Sequence, residues 1–155
     1  MTGFRRGVRL GVDVGKARIG VARCDRDGML AVPVETVPRN DGSIGRLVEL
    51  AKEHEPIEFV VGLPLNMRGD DTPSTQDARD FAAELAARYP VPVRLVDERL
   101  STVSAHSALR QSGRSQKGSR SIVDQVAAVV LLQHAIDTEK QTGTIPGEPV
   151  GTGLE

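Results

Sequence analysis

Val8-Arg9-Leu10-Gly11-Val12-Asp13-Val14-Gly15, the turn Lys16-Ala17 and the following Arg18-Ile19-Gly20-Val21-Ala22-Arg23-Cys24-Asp25 read as two strands folded back on each other. Val8, Leu10, Val12 and Val14 share one face of the first, the period-two pattern of a strand lying on a core. Residues 29–38 continue with Val32, Val34 and Val37 after the turn-forming Asp25-Arg26-Asp27-Gly28, so the chain opens as a three-stranded antiparallel meander.

Beyond the meander the period changes. Ile44, Leu47, Val48 and Ala51 fall at helical spacing after Asp41-Gly42-Ser43, a candidate cap, and a strand follows at 57–62. Gly62-Leu63-Pro64-Leu65-Asn66-Met67-Arg68-Gly69-Asp70-Asp71 is loop chemistry, and Pro73 suits the first turn of a helix running to about Tyr89. Residues 91–97 form the fifth strand, and Leu100-Ser101-Thr102 starts a helix to about Gln111. After the polar stretch 112–120, Ser121 opens a helix that is apolar nearly all round through Ile136 and is therefore expected to be buried. The expected organisation is one domain over residues 1–137 and a tail over 138–155 without regular structure, because the tail carries no period. Three meandering strands followed by α-β-α-β-α-α give an α/β fold, a five-stranded mixed sheet with helices on both faces. Crossover connections make strands four and five parallel to the first. This is the layout of the ribonuclease H-like fold.

At 155 residues and 39% hydrophobic content the chain has enough material for a single core, and a second, substrate domain is not expected. The longest unbroken apolar stretch, Val126 to Leu132, is far short of the ~18 residues of a membrane span. Arg9 and Asp13 interrupt the N-terminal apolar run, so no signal peptide is visible and a cytoplasmic protein is expected. Cys24 stands alone in a strand, as a buried thiol, and His54, His106 and His134 are scattered, which leaves no zinc spacing.

Three carboxylates sit at the edges of apolar elements: Asp13 in the first strand, Glu98 at the end of Val93-Arg94-Leu95-Val96-Asp97-Glu98, and Asp124 within Ile122-Val123-Asp124-Gln125-Val126. An unpaired buried carboxylate is costly unless a cation or a metal offsets it. Far apart in sequence, the three point to one hard-cation site, Mg²⁺ or Mn²⁺, of the kind that cleaves phosphodiesters. Asp97 and Glu98 are neighbours on a strand and face opposite ways, so only one of them can join Asp13, and parity does not say which. For Asp124 the competing reading is a helix cap, because Ser121-Ile122-Val123-Asp124 fits a capping box.

The net charge of −1 hides an asymmetry. Arg99, Arg110, Arg114, Lys117 and Arg120 lie between residues 99 and 123 with no Asp or Glu among them, while the rest of the chain carries −6. Next to Asp124, such a segment is either a solvated loop or a track for a phosphate backbone. Asn66 and the Ser101-Thr102 helix start add hydrogen-bond donors for phosphate.

Four segments in this order resemble one family. Leu10-Gly11-Val12-Asp13-Val14-Gly15, Gly62-Leu63-Pro64-Leu65-Asn66-Met67-Arg68-Gly69, Asp97-Glu98-Arg99-Leu100-Ser101-Thr102 and Asp124-Gln125-Val126-Ala127-Ala128 are similar to the YqgF (RuvX) family, over residues 8 to about 136. Its members are bacterial ribonuclease H-like proteins described as Holliday junction resolvases and as nucleases that mature the 5′ end of pre-16S ribosomal RNA. The resemblance implies catalytic positions at Asp13, Glu98 and Asp124 with Asp97 in support, and a nucleic-acid partner, either pre-16S rRNA or branched DNA. Two other classes compete. A phosphotransferase of the actin and sugar-kinase type shares Asp13-Val14-Gly15 and its Lys-bearing turn but needs two such domains to close over ATP. A non-catalytic nucleic-acid-binding transcription factor would not keep three carboxylates that repel phosphate. With only three Phe, one Tyr and no Trp, and with Phe59, Phe81 and Tyr89 in core-like runs, little dimer or stacking surface is expected. A monomer or weak homodimer acting on RNA is the expectation.

Overall fold

The computed structural model describes residues 4–98 and 116–150, with the side chains of 116–124 excepted. The helix expected from Leu100 to about Gln111 lies outside the described residues, as do Arg99, Ser101, Thr102, Arg110 and Arg114.

The meander forms as β1 (Arg9–Val14), β2 (Arg18–Cys24) and β3 (Ala31–Pro38), paired antiparallel with Val12 opposite Val21 and Ile19 opposite Val37. Helix α1 (Ser43–His54) leads into β4 (Glu58–Leu63), and α2 (Pro73–Arg88) into β5 (Val93–Asp97). Strand β4 lies parallel to β1, and β5 parallel to β4, as the crossovers require. The long helix α3 (Gln116–Thr142) is followed by a two-residue strand, β6 (Glu148–Pro149), antiparallel to β5. The sheet order is β3-β2-β1-β4-β5-β6, which places β1 in the interior of the sheet.

The expectation of five strands is therefore corrected to six among the described residues. The sixth is an edge pairing too short to leave a periodic signal: Val150 donates its N–H to the Val93 carbonyl at 2.9 Å, and Arg94 Nε reaches the Pro146 carbonyl at 3.0 Å. Likewise residues 138–150, expected to lack regular structure, carry the last turn of α3 and this strand. Their signals are tertiary, since Glu139 is buried against Arg5 and Arg9, and Lys140 Nζ donates to the Gly28 carbonyl at 2.8 Å. The start of α3 differs too. Gln116–Arg120 are polar and Gly-containing, yet extending an existing helix costs far less than nucleating one, so the apolar stretch carries them along.

Caps and turns follow local chemistry. Thr72 caps α2 by accepting from the Thr75 N–H, Thr75 Oγ1 accepts from the Thr72 N–H at 2.8 Å, and Pro73 occupies the first helical position. At α1 the cap residue is Gly42 without a side-chain bond; Ser43 Oγ instead accepts from Asn40 N–H and donates to the Pro38 carbonyl.

Each sheet face carries its own apolar layer. Leu10, Val12, Ile19, Val21, Phe59 and Val61 pack with Leu47 and Leu50 of α1 and Phe81 and Leu85 of α2. Ala22, Cys24, Val60 and Val96 pack under Ala128, Leu131, Leu132 and Ile136 of α3. Gly11 lets α3 come close: a Cβ there would lie 2.9 Å from Leu132 Cβ and 3.1 Å from the Ala128 carbonyl oxygen. No helix among the described residues is long and apolar enough to cross a membrane.

Candidate active site

Asp13 is the next-to-last residue of β1 and pairs with Gly20 of β2, which in turn pairs with Thr36 of β3. Strand alternation turns the side chains of Arg9 and Asp13, and the bare Cα of Gly11 between them, to the α3 face, opposite the one that buries Leu10 and Val12. On the other side of β1, β4 runs in parallel and brings Gly62 one residue past the Val12–Val61 pair, beside Asp13. Next in the sheet, β5 ends at Asp97, and the Glu98 N–H donates to the Leu63 carbonyl at 3.3 Å. Asp13, Gly62 and Glu98 thus form a row at the carboxyl ends of three parallel strands, where open α/β sheets gather their ligands.

Parity left Asp97 and Glu98 equivalent; the structure distinguishes them. Asp97 is exposed, whereas the Glu98 side chain leans across β4 to hydrogen bond with Asp13. It can do so because residue 62 has no side chain, since a Cβ there would sit 2.1 Å from Glu98 Oε2. Burial, the adjacent Asp13 charge, the hydrogen bond with Asp13 and the charge of Asp97 push the Glu98 carboxyl up to about 9. Two hard oxygen donors drawn together, one of them holding a proton at neutral pH, suit a divalent cation. Among the described residues no third carboxylate, His or Cys joins them.

Asp124 belongs to α3, and its side chain lies outside the described part of the structure. Its position in the helix is nevertheless informative, because α3 already covers Gln116–Arg120 and so places residue 124 at least two turns inside. A capping box at Ser121–Asp124 needs a helix start there, so the cap reading falls. Ala128, one turn later, contacts Gly11, and Gln125 Nε2 donates to Thr36 Oγ1 at 2.8 Å, in the sheet row that contains Asp13. The backbone therefore brings residue 124 to the part of α3 that crosses the Asp13 row.

Asn66 has a local job. Its Oδ1 accepts the N–H groups of Arg68 and Asp70, both at 2.9 Å, so the carbonyl half of the amide folds its own loop and leaves the NH₂ for other partners. The turn projects Met67, 89% exposed, beside Arg68, and Thr75 Oγ1 ties the loop to α2 through the Pro64 carbonyl. Lys117 and Arg120 lie in the first turns of α3, ahead of Asp124.

Sequence reasoning missed several contributors. Gly62 reads as the end of a strand, and its role emerges only once register sets it between Asp13 and Glu98. Arg39 was not singled out either. It donates to the Gly15 carbonyl at 2.9 Å and makes a two-point ion pair with Asp77 of α2, pinning the turn that follows Asp13. With Lys16 and Ser74 these two residues line a cleft of about 430 Å³ beside that turn. The spacing of Arg39 and Asp77 carries no signal, because the two lie 38 positions apart.

The chain has relatives among known proteins. The family model described as "RuvX: Holliday junction resolvase" matches residues 7–138. A protein of Streptomyces avermitilis named "Putative pre-16S rRNA nuclease" is 54% identical over 151 residues, covering 96% of this chain and 97% of its own. One of the same name from Clavibacter michiganensis is 55% identical, covering 93% of this chain and 91% of its own. Among solved structures, Thermus thermophilus RuvC in complex with a Holliday junction substrate superposes with a TM-score of 0.56 over 92% of this chain and 98% of that one, at 18% identity. At that identity the likeness is one of fold, and the fold is ribonuclease H-like. A match across residues 7–138, together with relatives more than half identical over nearly their whole length, means that this chain belongs to the RuvX family.

Proposed function

We propose that this protein is a metal-dependent endonuclease that hydrolyses nucleic-acid phosphodiesters, acting in the cytoplasm on the 5′ end of pre-16S rRNA. The observation that carries the reading is the meeting of Asp13 and Glu98 above Gly62. Two carboxyls in contact repel a phosphodiester, and the repulsion turns to attraction only with a cation between them. In this reading Asp13, Glu98 and Asp124 hold Mg²⁺ or Mn²⁺. When bound, the ion supplies a more acidic attacking water and neutralises charge developing on the phosphate. Glu98 releases its proton on loading, which makes binding pH-dependent. Arg99, Arg110, Arg114, Lys117 and Arg120 guide the backbone, while the Asn66 amide NH₂ and the Ser101-Thr102 helix start donate to phosphate oxygens. A transcription factor that only binds nucleic acid has no use for the Asp13–Glu98 contact.

The choice of RNA rests on the curated relatives, which are named for pre-16S rRNA. A second reading, Holliday junction resolution, is favoured by the description of the family model. Cleavage assays with one metal-titrated preparation on a precursor 16S fragment and on a four-way junction test both. RNA cleavage lost in Asp13→Asn, with binding kept, is the expected result, and unchanged cleavage by that variant removes the site assignment.

A further inference from the structure

A second cluster of charges lies at the opposite end of the sheet, where the proposed reaction has no use for it. Arg9 opens β1, Glu58 opens β4 as its register partner, and Glu139 comes from the last part of α3; each is 1% exposed. Arg9 Nη2 reaches Glu139 Oε2 at 3.1 Å, and Arg9 Nε lies 3.6 Å from Glu58 Oε2. Arg5, at the rim, donates Nη2 to Glu139 at 2.8 Å and to Glu58 at 3.0 Å, and its backbone N–H to Glu139 at 2.8 Å. The Phe4 ring covers the Arg9 guanidinium 4.7 Å from its centroid.

Stability does not account for this arrangement. Buried ion groups of this kind can be replaced by apolar side chains of similar volume without loss, and here Arg9 Nε and Glu58 Oε1 lack hydrogen-bond partners. What the cluster has, and the apolar layer lacks, is direction. The face that α3 lays on the sheet is built of Ala128, Leu131, Leu132, Ala135 and Ile136, whose packing against Gly11 and Val60 fixes distance better than register. A slip of one turn along α3 would exchange Glu139 for Ala135 or Gly143, leaving Arg9 buried opposite no carboxylate on the helix. The same slip would carry Asp124 about 5.4 Å along the sheet.

We infer that the Arg9–Glu58–Glu139 cluster is a register lock that sets α3 on the sheet and so positions Asp124, about 22 Å up the helix, over Asp13 and Glu98. The three are positioning residues, and the inference rests on the reading of Asp124 as a metal ligand given above. Arg5 is 31% exposed at its side chain and can turn to solvent if its partners are removed.

The test replaces the lock with apolar groups, combining Arg9→Met, Glu58→Leu and Glu139→Leu in the full chain. Thermal unfolding without metal, and Mn²⁺ affinity by calorimetry well below the melt, are both measured. The expected result is an unchanged or higher melting temperature with Mn²⁺ bound at least about tenfold more weakly, the scale seen when groups that orient ligands are lost. Wild-type Mn²⁺ affinity in the folded triple variant overturns the inference. Should that variant not fold, Glu139→Gln, which keeps shape and loses charge, decides on the same measurement, with unchanged affinity again overturning it. Asp124→Asn, titrated in parallel, separates the two possible failures. Wild-type affinity there removes Asp124 from the site and the inference with it, whereas weak binding there beside wild-type binding in the lock variants removes the inference alone.

Discussion

The carboxyl of Glu98 reaches that of Asp13 by crossing a strand that belongs to neither, and it can cross only where β4 carries Gly62. A substitution at a glycine therefore tests the site as directly as one at a carboxylate. Gly62→Ala puts a methyl 2.1 Å from Glu98 Oε2 and 3.3 Å from Leu131 Cδ2. The closer atom is the end of a flexible side chain, so the fold yields by turning Glu98 away. Stability is expected to change by less than about 1 kcal/mol while cleavage falls by roughly two orders of magnitude. Denaturant melts beside initial rates check this, and full activity in a folded Gly62→Ala variant would show that the Asp13–Glu98 contact is dispensable.

The raised Glu98 carboxyl makes the metal-free protein sensitive to pH. Native Glu98 keeps its proton up to about 9, whereas in the unfolded chain it loses it near 4.5. Across that window the native state binds more protons than the unfolded state, so this contribution to stability is full below 4.5 and is lost as pH rises through 9. The slope from one such group is at most about 1.4 kcal/mol per pH unit. Glu98→Gln should flatten it and leave the protein more stable than wild type at pH 8. For the same reason Mn²⁺ affinity should rise with pH, by up to about tenfold per unit below 9. Urea melts from pH 5 to 9 in chelator, and metal titrations over the same range, measure both effects.

How much of this was legible in the sequence depends on the range of the interaction concerned. Asp13 and Glu98 stood out because a carboxylate in an apolar run is costly wherever it lies, and the meander and its crossovers follow from periods that are local. Phe59 and Phe81 are buried as their runs implied. The choice between Asp97 and Glu98 needed the register of three strands, which no single segment encodes. Glu139 falls in the stretch expected to lack regular structure, because its partners Arg5 and Arg9 lie more than a hundred positions away. Asn66 carried a donor's signal, yet its carbonyl oxygen is committed to the Arg68 and Asp70 N–H groups of its own loop. Two-residue β6 is defined by its pairing with β5 alone.

That pairing makes its own prediction. Glu148 lies opposite Leu95 and pairs with Arg79 at 2.7 Å, so residues 143–150 cover the edge of β5. Ending the chain at Thr142 uncovers a row of strand N–H and C=O groups that can template association. We expect a loss of about 1–2 kcal/mol and concentration-dependent aggregation, with the cleavage rate of the remaining monomer unchanged, since the row of Asp13, Gly62 and Glu98 does not touch β6. Light scattering and single-turnover rates separate the two effects.

Basic residues ahead of Asp124 should reveal themselves through salt. Each phosphate contact on a single strand adds a slope of roughly −0.7 in log affinity against log salt. Replacing Arg114, Lys117 and Arg120 with Ala should weaken binding and flatten the slope by up to roughly 2, while leaving Mn²⁺ affinity intact. A slope equal to that of the wild type would make these residues a solvated surface.

The substrate separates the two readings of the family most sharply, because each demands a different assembly. A four-way junction presents two symmetry-related strands, so resolving it by paired cuts calls for a two-fold dimer with two sites at fixed spacing. Trimming an RNA end needs one site and a groove for one strand. The large apolar side chains exposed among the described residues are Met29, Leu30, Met67 and Ile145. Met67 lies in the loop after β4, Ile145 in the segment leading to β6, and Met29 and Leu30 in the β2–β3 turn, and four such side chains from three segments are few for the patch an obligate dimer buries. We therefore expect a monomer or weak homodimer that cleaves a precursor 16S fragment in Mg²⁺ or Mn²⁺ and cuts a four-way junction slowly and without symmetry. Sedimentation velocity with and without the junction, run beside cleavage of both substrates at matched salt, measures this. A stable dimer that makes symmetric junction cuts and ignores the RNA would assign the Asp13–Glu98 site to recombination instead.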